Sequence, residues 1–400
     1  MKKKGVRIGT VFFLIVATAF ITAIVTYYYL SMVVENLGRN QQLYNKLNNV
    51  NKIISTSYIG TIDPIDGYDD IIDGTVAGYI DGVGDEYSYY LDEHNYKVSY
   101  VAEDSVDIGV KTDYDYKSKG IKVTFIKNGS PAQSSELKVG DVILSVDGTS
   151  VSERGYRSSV QKLSGSVDTE VNLTVYREST DSNLSITVTR TAYTPNTVTS
   201  KLISNDIGYI LIDEFDNTTF KSFSSAVTSL LEKGAKGLVI DVRYCYSGDI
   251  ESAASILDML TPSAILFSVN EKSSSTPKIY NSDEKSVGVP LVVIQNAETS
   301  GVAEVFSGSL RDTASAVVIG EKTAGLGIGQ SDIVLGDGSA IHLSTYEYIL
   351  PSGEKFNGAG VAPNFVSELS EEKKEIFSTL TDEEDDQLQF ALTKLREQIG

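Results

Sequence analysis

Thr299, Ser300 and Lys322 are the residues whose types and spacing come nearest to nucleophilic chemistry in this chain. A hydroxyl attacks a carbonyl only when a base lies within hydrogen-bond reach, and an amine serves as that base only once burial strips its charge. Cys245, the single cysteine, offers a thiol instead, but the two histidines, His94 and His342, show no pairing motif with it. A lone cysteine behind a buried strand is ordinarily structural, and it excludes any intrachain disulfide. Asp241 and Arg243 close an apolar run and read as a loop-organising ion pair rather than an acid–base couple. Asp69, Asp70 and Asp73 lack the glycine and terminal glutamate of a calcium loop and read as a solvated helix face. No phosphate loop, zinc spacing or nucleotide motif is present, so the sequence assigns no cofactor and no metal.

The elements that must position these groups change character along the chain. Residues 193–368 alternate apolar strands with amphipathic helices: Gly208–Ile212, Thr218–Lys233, Gly237–Val242, Ile250–Leu260, Pro290–Gln295 and Ala303–Arg311. That alternation predicts a mixed α/β core with a largely parallel sheet. Residues 101–192 read instead as short strands punctuated by turns, among them Ile121–Ile126, Asn128-Gly129-Ser130-Pro131, Leu137–Gly148, Val171–Arg177 and Leu184–Arg190. Residues 35–100 read as helical, with Leu43, Leu47, Val50, Ile53 and Ile54 at helical spacing and a second helix over Tyr68–Val83. A polar-aromatic turn is expected over Gly84–Leu91. The stretch 369–400 ends in an amphipathic helix, Gln387–Gln398.

Residues 8–34 form the one segment far from average composition. Ile8–Leu30 carries no charge, follows Lys2, Lys3, Lys4 and Arg7, and ends in three tyrosines. Its length predicts a transmembrane anchor, with residues 1–7 as a cytoplasmic basic tail and residues 35–400 outside the membrane. No small-residue exit follows Leu30, which disfavours a cleaved signal peptide. The formal net charge of −20 argues against nucleic-acid binding, which needs basic patches, and suits a solvated, exposed domain. The expected architecture is therefore α/β in the α+β multidomain sense: a transmembrane helix, a helical segment, a small β-rich domain, then a mixed α/β core.

The β-rich segment resembles a PDZ domain through Gly129-Ser130-Pro131-Ala132 followed by Leu137-x-x-Gly140-Asp141-x-Ile143. The resemblance implies that Asp107-Ile108-Gly109-Val110 is the loop that captures a free C-terminal carboxylate, with Ile108, Gly109, Val110, Leu137 and Gly140 as peptide-binding residues. Such a nest of N–H donors holds an anion while the sheet edge accepts a strand. Asp107 is an unwelcome neighbour for that anion.

From about residue 40 to 398 the chain resembles the C-terminal processing peptidases, or tail-specific serine proteases. The likeness rests on Asp85–Leu91, Gly208-Tyr209-Ile210, Gly237–Arg243, Pro290–Asn296, Glu304 with Gly308, Val318–Thr323, Gly325-x-Gly327-x-x-Gln330, Tyr348-x-x-Pro351-Ser352-Gly353 and Gly358-x-Gly360-Val361-x-Pro363. In that family a serine at a helix start is the nucleophile, a neutral lysine the base, and a glutamine orients the lysine. Aligned on Asn296, Glu304 and Gly308, the serine position falls on Gly301; aligned on Gly325 and Gly327, the lysine position falls on Leu326. Gln330 matches the glutamine. The oxyanion loop, Asn-Pro-Gly-Gly in the family, reads Cys245-Tyr246-Ser247-Gly248 here. Ser300 is turned about 100° from Gly301 on a helix, and Lys322 sits in a turn where the family does not place its base. The resemblance thus implies a peptidase frame that binds C-terminal tails or unfolded segments of exported proteins without cutting them. An active endopeptidase with displaced residues and a purely structural surface protein remain the alternatives, and nothing fixes the oligomeric state.

Overall fold

The computed structural model describes residues 8–62, 67–100, 105–115, 117–127, 129–193, 197–204, 206–377 and 380–400. The basic tail 1–7 and Asn128 of the expected turn lie outside them. The chain divides into two units at Gly74/Thr75.

In the first unit one helix runs unbroken over Ile8–Ser57. The expectation of a membrane anchor over residues 8–34 is corrected here: among the described residues no helix is long and apolar enough to cross a membrane. The helix then continues into the polar sequence Gln41–Ser57, along which Leu43, Leu47, Val50 and Ile53 stay exposed.

The second unit opens with a β-domain. Its six-stranded antiparallel sheet orders Val110–Asp115, Gly120–Ile126, Val142–Val146, Glu170–Arg177 and Ser182–Thr189, with Thr149–Ser150 beside Val142–Val146. The period-two alternation expected of a half-buried sheet is met on Glu170–Arg177, where Val171, Leu173 and Val175 point inward against Ile108, Ile121, Ile143 and Ile186. The hairpin after Val146 turns through Asp147 and Gly148, both at positive φ (49° and 77°), the backbone twist that a tight hairpin requires.

The α/β core follows. Six strands lie in the order Val198–Ile203, Ile207–Ile212, Gly237–Asp241, Leu291–Gln295, Val317–Gly320 and Phe365–Val366, the first pair antiparallel and the rest parallel. Neighbouring residues of one strand serve opposite faces, which is why the central strands are apolar along Leu238–Ile240 and Leu291–Ile294. Leu238 and Ile240 pack with the helices Thr219–Glu232, Ile250–Leu260 and Val302–Asp312 through Phe223, Leu257 and Phe306. Val239, between them, packs with Leu388, Leu392 and Leu395 of the helix Asp386–Ile399.

A second, antiparallel sheet was not foreseen. It joins Ile265–Glu271, Lys278–Asn281, Ile328–Val334 and Ala340–Ile349. Its fifth strand is Tyr89–Leu91, paired with Ala340–His342, where the sequence suggested only a turn.

Candidate functional site

The strand Leu291–Gln295 leads through Asn296–Ser300 into the helix Val302–Asp312, whose N-cap is Gly301. The approach is fixed largely by buried polar groups. Thr299 donates its hydroxyl to Val242 O at 2.9 Å, and Asn296 Oδ1 accepts the Tyr244 N–H at 3.1 Å. Ser300 N–H donates to Cys245 O at 3.0 Å. Gly301 itself has φ 63° and ψ −121°, a conformation that suits glycine and strains any other residue.

Glu304, one turn into the helix and fully buried, organises both halves of the site. Its Oε2 accepts the N–H of Gly301 at 2.9 Å and of Leu326 at 2.7 Å; its Oε1 accepts the N–H of Gly325 at 2.7 Å and the hydroxyl of Thr323. Burial pushes this carboxyl's pKa up, and the four donors pull it back only in part. The two positions where the resemblance puts nucleophile and base are therefore brought together, bridged by one oxygen. Neither side chain can take or give a proton.

The other expected groups are placed as follows. Gln330 donates to Ser344 Oγ at 3.3 Å, and Ser344 N–H donates to Ser88 Oγ at 3.0 Å, so the glutamine is tied into the second sheet. Ser300 is 8 % exposed and, among the described residues, no hydrogen bond joins its hydroxyl to a base. Lys322 is exposed to solvent. His342 lies in the second sheet with Nδ1 2.6 Å from Asp332 Oδ1, and His94 is in the short helix Glu93–Tyr100. His342, engaged by Asp332, makes no hydrogen bond to Cys245. Burial raises the Cys245 thiol to about 12, which keeps it protonated.

The loop after Gly237–Asp241 carries the expected oxyanion segment. Tyr244 adopts φ 56°, Cys245 N–H donates to Val242 O at 3.2 Å, and Tyr246–Gly248 pairs as a short strand with Glu214–Phe215. Gly248 is indispensable to that pairing, because a Cβ there would meet Phe215 O at 2.3 Å. At the loop's base the buried Arg243 donates to Asp241 and Asp385 and stacks over Phe377, while Tyr209 donates to Asp241 Oδ2 at 2.8 Å. Asp241 and Arg243 thus form a structural ion pair.

Lys111, which the sequence did not single out, reaches from the β-domain strand Val110–Asp115 into this loop. Its Nζ donates to Asp213 O at 2.5 Å and to Tyr244 O at 3.0 Å, over the ring of Tyr246. Burial lowers its pKa, against the pull of Cys245, Glu214 and Asp213. Beside it Lys127 pairs with Glu214 at 2.7 Å. A groove of about 330 Å³ lies here, lined by Val110, Lys111, Thr112, Lys127, Glu214 and Tyr246. Strand alternation gives no hint that a second domain covers Lys111.

Within the β-domain, Ile108 and Leu137 are both buried in its core. Gly140 (φ 90°) turns the chain behind Leu137 and donates to Val123 O at 2.8 Å. Gly109 and Val110 lie at the start of the strand whose second edge is unpaired in the sheet.

Comparison with known proteins places these two parts. Residues 206–367 match peptidase family S41, and residues 106–188 match the PDZ domain. The chain is 29 % identical over 332 residues to the carboxy-terminal processing protease CtpA of Bacillus subtilis, covering 83 % of this chain and 70 % of that protein. It is 26 % identical over 323 residues to CtpB of the same organism, covering 80 % and 66 %. A solved photosystem II D1 C-terminal processing protease shares the fold, with TM-score 0.62 and 24 % identity over 80 % of this chain and 86 % of that one.

Proposed function

We propose that this chain, a family S41 peptidase domain joined to a PDZ domain in the manner of the C-terminal processing proteases, binds segments of other proteins without cleaving them. The observation that carries the reading is the bridge at Glu304: it holds Gly301 and Leu326 in place on one carboxylate oxygen, with no hydroxyl and no amine at either position. Proton transfer from a nucleophile needs both groups within hydrogen-bond reach. A further support is that the N–H groups of Ser300, Gly301, Tyr244 and Cys245 already have acceptors in the protein, which leaves those four unavailable to an oxyanion. Binding does not depend on any of these groups. An extended peptide can add to the edge that opens at Val110 and Lys111, and PDZ domains and their protease relatives point to protein tails as ligands.

The test is to incubate the full chain with an unfolded protein bearing an apolar C-terminus, following cleavage by mass spectrometry and association by anisotropy. Association with no new termini is expected. Cleavage abolished by Ser300→Ala or Lys322→Ala would instead establish a displaced catalytic pair, and cleavage surviving both would locate chemistry elsewhere.

A further inference from the structure

Peptide capture by a carboxylate-binding loop needs free N–H donors at the start of the strand that the ligand joins. In this chain one of those donors is already satisfied from within. Asp107 Oδ1 accepts the N–H of Gly109 at 2.8 Å and the hydroxyl of Tyr193 at 2.7 Å. Burial, and then Asp107 itself, raise the Tyr193 pKa, so the phenol stays a donor. The loop is also packed tightly: Gly109 has φ 78°, and Ser130 Cβ lies 2.1 Å from where a Cβ on it would stand. Its carbonyls are held by Ala132 N–H on Ile108 O and Lys127 N–H on Gly109 O, both at 2.8 Å.

The cations that could draw a second carboxylate into the loop are committed as well. Lys111 donates into Asp213 O and Tyr244 O, and Lys127 pairs with Glu214. An arriving terminal carboxylate would meet a fixed like charge, with one of its donors taken. The strand edge that follows is a different matter. Among the described residues Val110–Asp115 pairs only with Gly120–Ile126, leaving its other edge open until Tyr156 donates to Thr112 O at 2.8 Å.

We propose that Asp107 is a built-in substitute for a ligand's terminal carboxylate, so that this groove selects the interior of an extended, unfolded segment over a free C-terminal tail. The inference rests on the reading that the groove binds peptides at all. It narrows that reading to ligands whose backbone joins the edge at Gly109–Lys111 and whose chain continues past the loop.

The test uses the full chain and one labelled apolar peptide of about ten residues in three forms: free acid, C-terminal amide, and embedded between flexible flanks. Amide and embedded forms should bind at least as tightly as the acid. Asp107→Ala should raise acid affinity about tenfold and leave the amide within about twofold, a change well above the spread of ordinary surface substitutions. Tyr193→Phe, which keeps the carboxylate but removes one donor to it, should leave the acid no tighter than in the wild type. Wild-type protein that binds the acid about tenfold tighter than the amide, or an acid-to-amide ratio unmoved by Asp107→Ala, overturns the inference while leaving peptide binding intact. If no form binds either the wild type or Asp107→Ala, peptide binding itself fails, and the inference with it.

Discussion

Gly301 and Leu326 donate their backbone N–H groups to the same atom, Glu304 Oε2, at 2.9 and 2.7 Å. A residue pair that in a serine–lysine peptidase would exchange a proton here shares only a structural acceptor. The consequence is that the site's integrity depends on Glu304 rather than on either of the residues it joins.

Glu304→Ala should therefore be among the most damaging single substitutions in the core. It leaves four buried donors, from Gly301, Gly325, Leu326 and Thr323, with no acceptor, at a cost of roughly 3–5 kcal/mol. Glu304→Gln keeps one acceptor oxygen and should cost roughly 1–2 kcal/mol. Urea unfolding of both variants checks the ranking; equal losses would mean that one remaining oxygen stabilises nothing without the other.

Gly301→Ser should lower stability without creating activity. At φ 63° and ψ −121° a side chain is strained, by about 1–3 kcal/mol. The hydroxyl would still lack a base while position 326 is leucine. A fall in melting temperature with no cleavage of an unfolded protein is expected, whereas measurable cleavage would show that some group other than residue 326 accepts the proton.

Lys111→Met keeps the alkyl stem and removes the ammonium. Asp213 O and Tyr244 O then lose a donor, which should cost roughly 1–3 kcal/mol. Hydrogen exchange should quicken at Tyr244–Gly248, far from Lys111 in sequence but next to it in space. Unchanged exchange there would mean the loop is held from the core side alone.

Asp213 gives a pH dependence of definite sign. Burial is the first cause that raises its pKa, from 3.8 to about 6. The folded protein thus holds this proton more tightly than the unfolded chain does. Its contribution is fully present below pH 3.8 and is lost as pH rises through about 6, a change of about 3 kcal/mol at ~1.4 kcal/mol per pKa unit. Asp213→Asn has no such proton to lose. The stability difference between variant and wild type should grow across that window and level off above it, and a difference flat across it would place the carboxylate in solvent.

How much of this could be read beforehand follows from where each signal is stored. The parallel strands were legible because burial on both faces leaves an unbroken apolar run such as Gly237–Ile240. So was the chemical poverty of Gly301 and Leu326, since residue type alone denies them a proton to move. The second sheet was not legible. Ala340–Ile349 is half-buried along most of its length, and it pairs with Tyr89–Leu91 some 250 residues earlier, a distance no local pattern reports. Lys111 reads as one more solvated strand lysine until another domain covers it. The N-terminal segment misled in the opposite direction. Its apolar composition suggested a span, but among the described residues no helix is long and apolar enough to cross a membrane.

The clamp on Arg243 sets an order of events as the chain is made. Arg243 shares its guanidinium between Asp241, two residues before it, and Asp385, 142 residues after it. Until the helix Asp386–Ile399 has left the ribosome, half of that buried charge lacks its partner, and Val239, Val292 and Ile294 face water where Leu388 and Leu392 later cover them. Synthesis of the loop beside Gly301 and its maturation are thus separated in time. A nascent chain paused before Asp385 should present chaperones and quality-control proteases with a bare apolar sheet and a half-paired arginine.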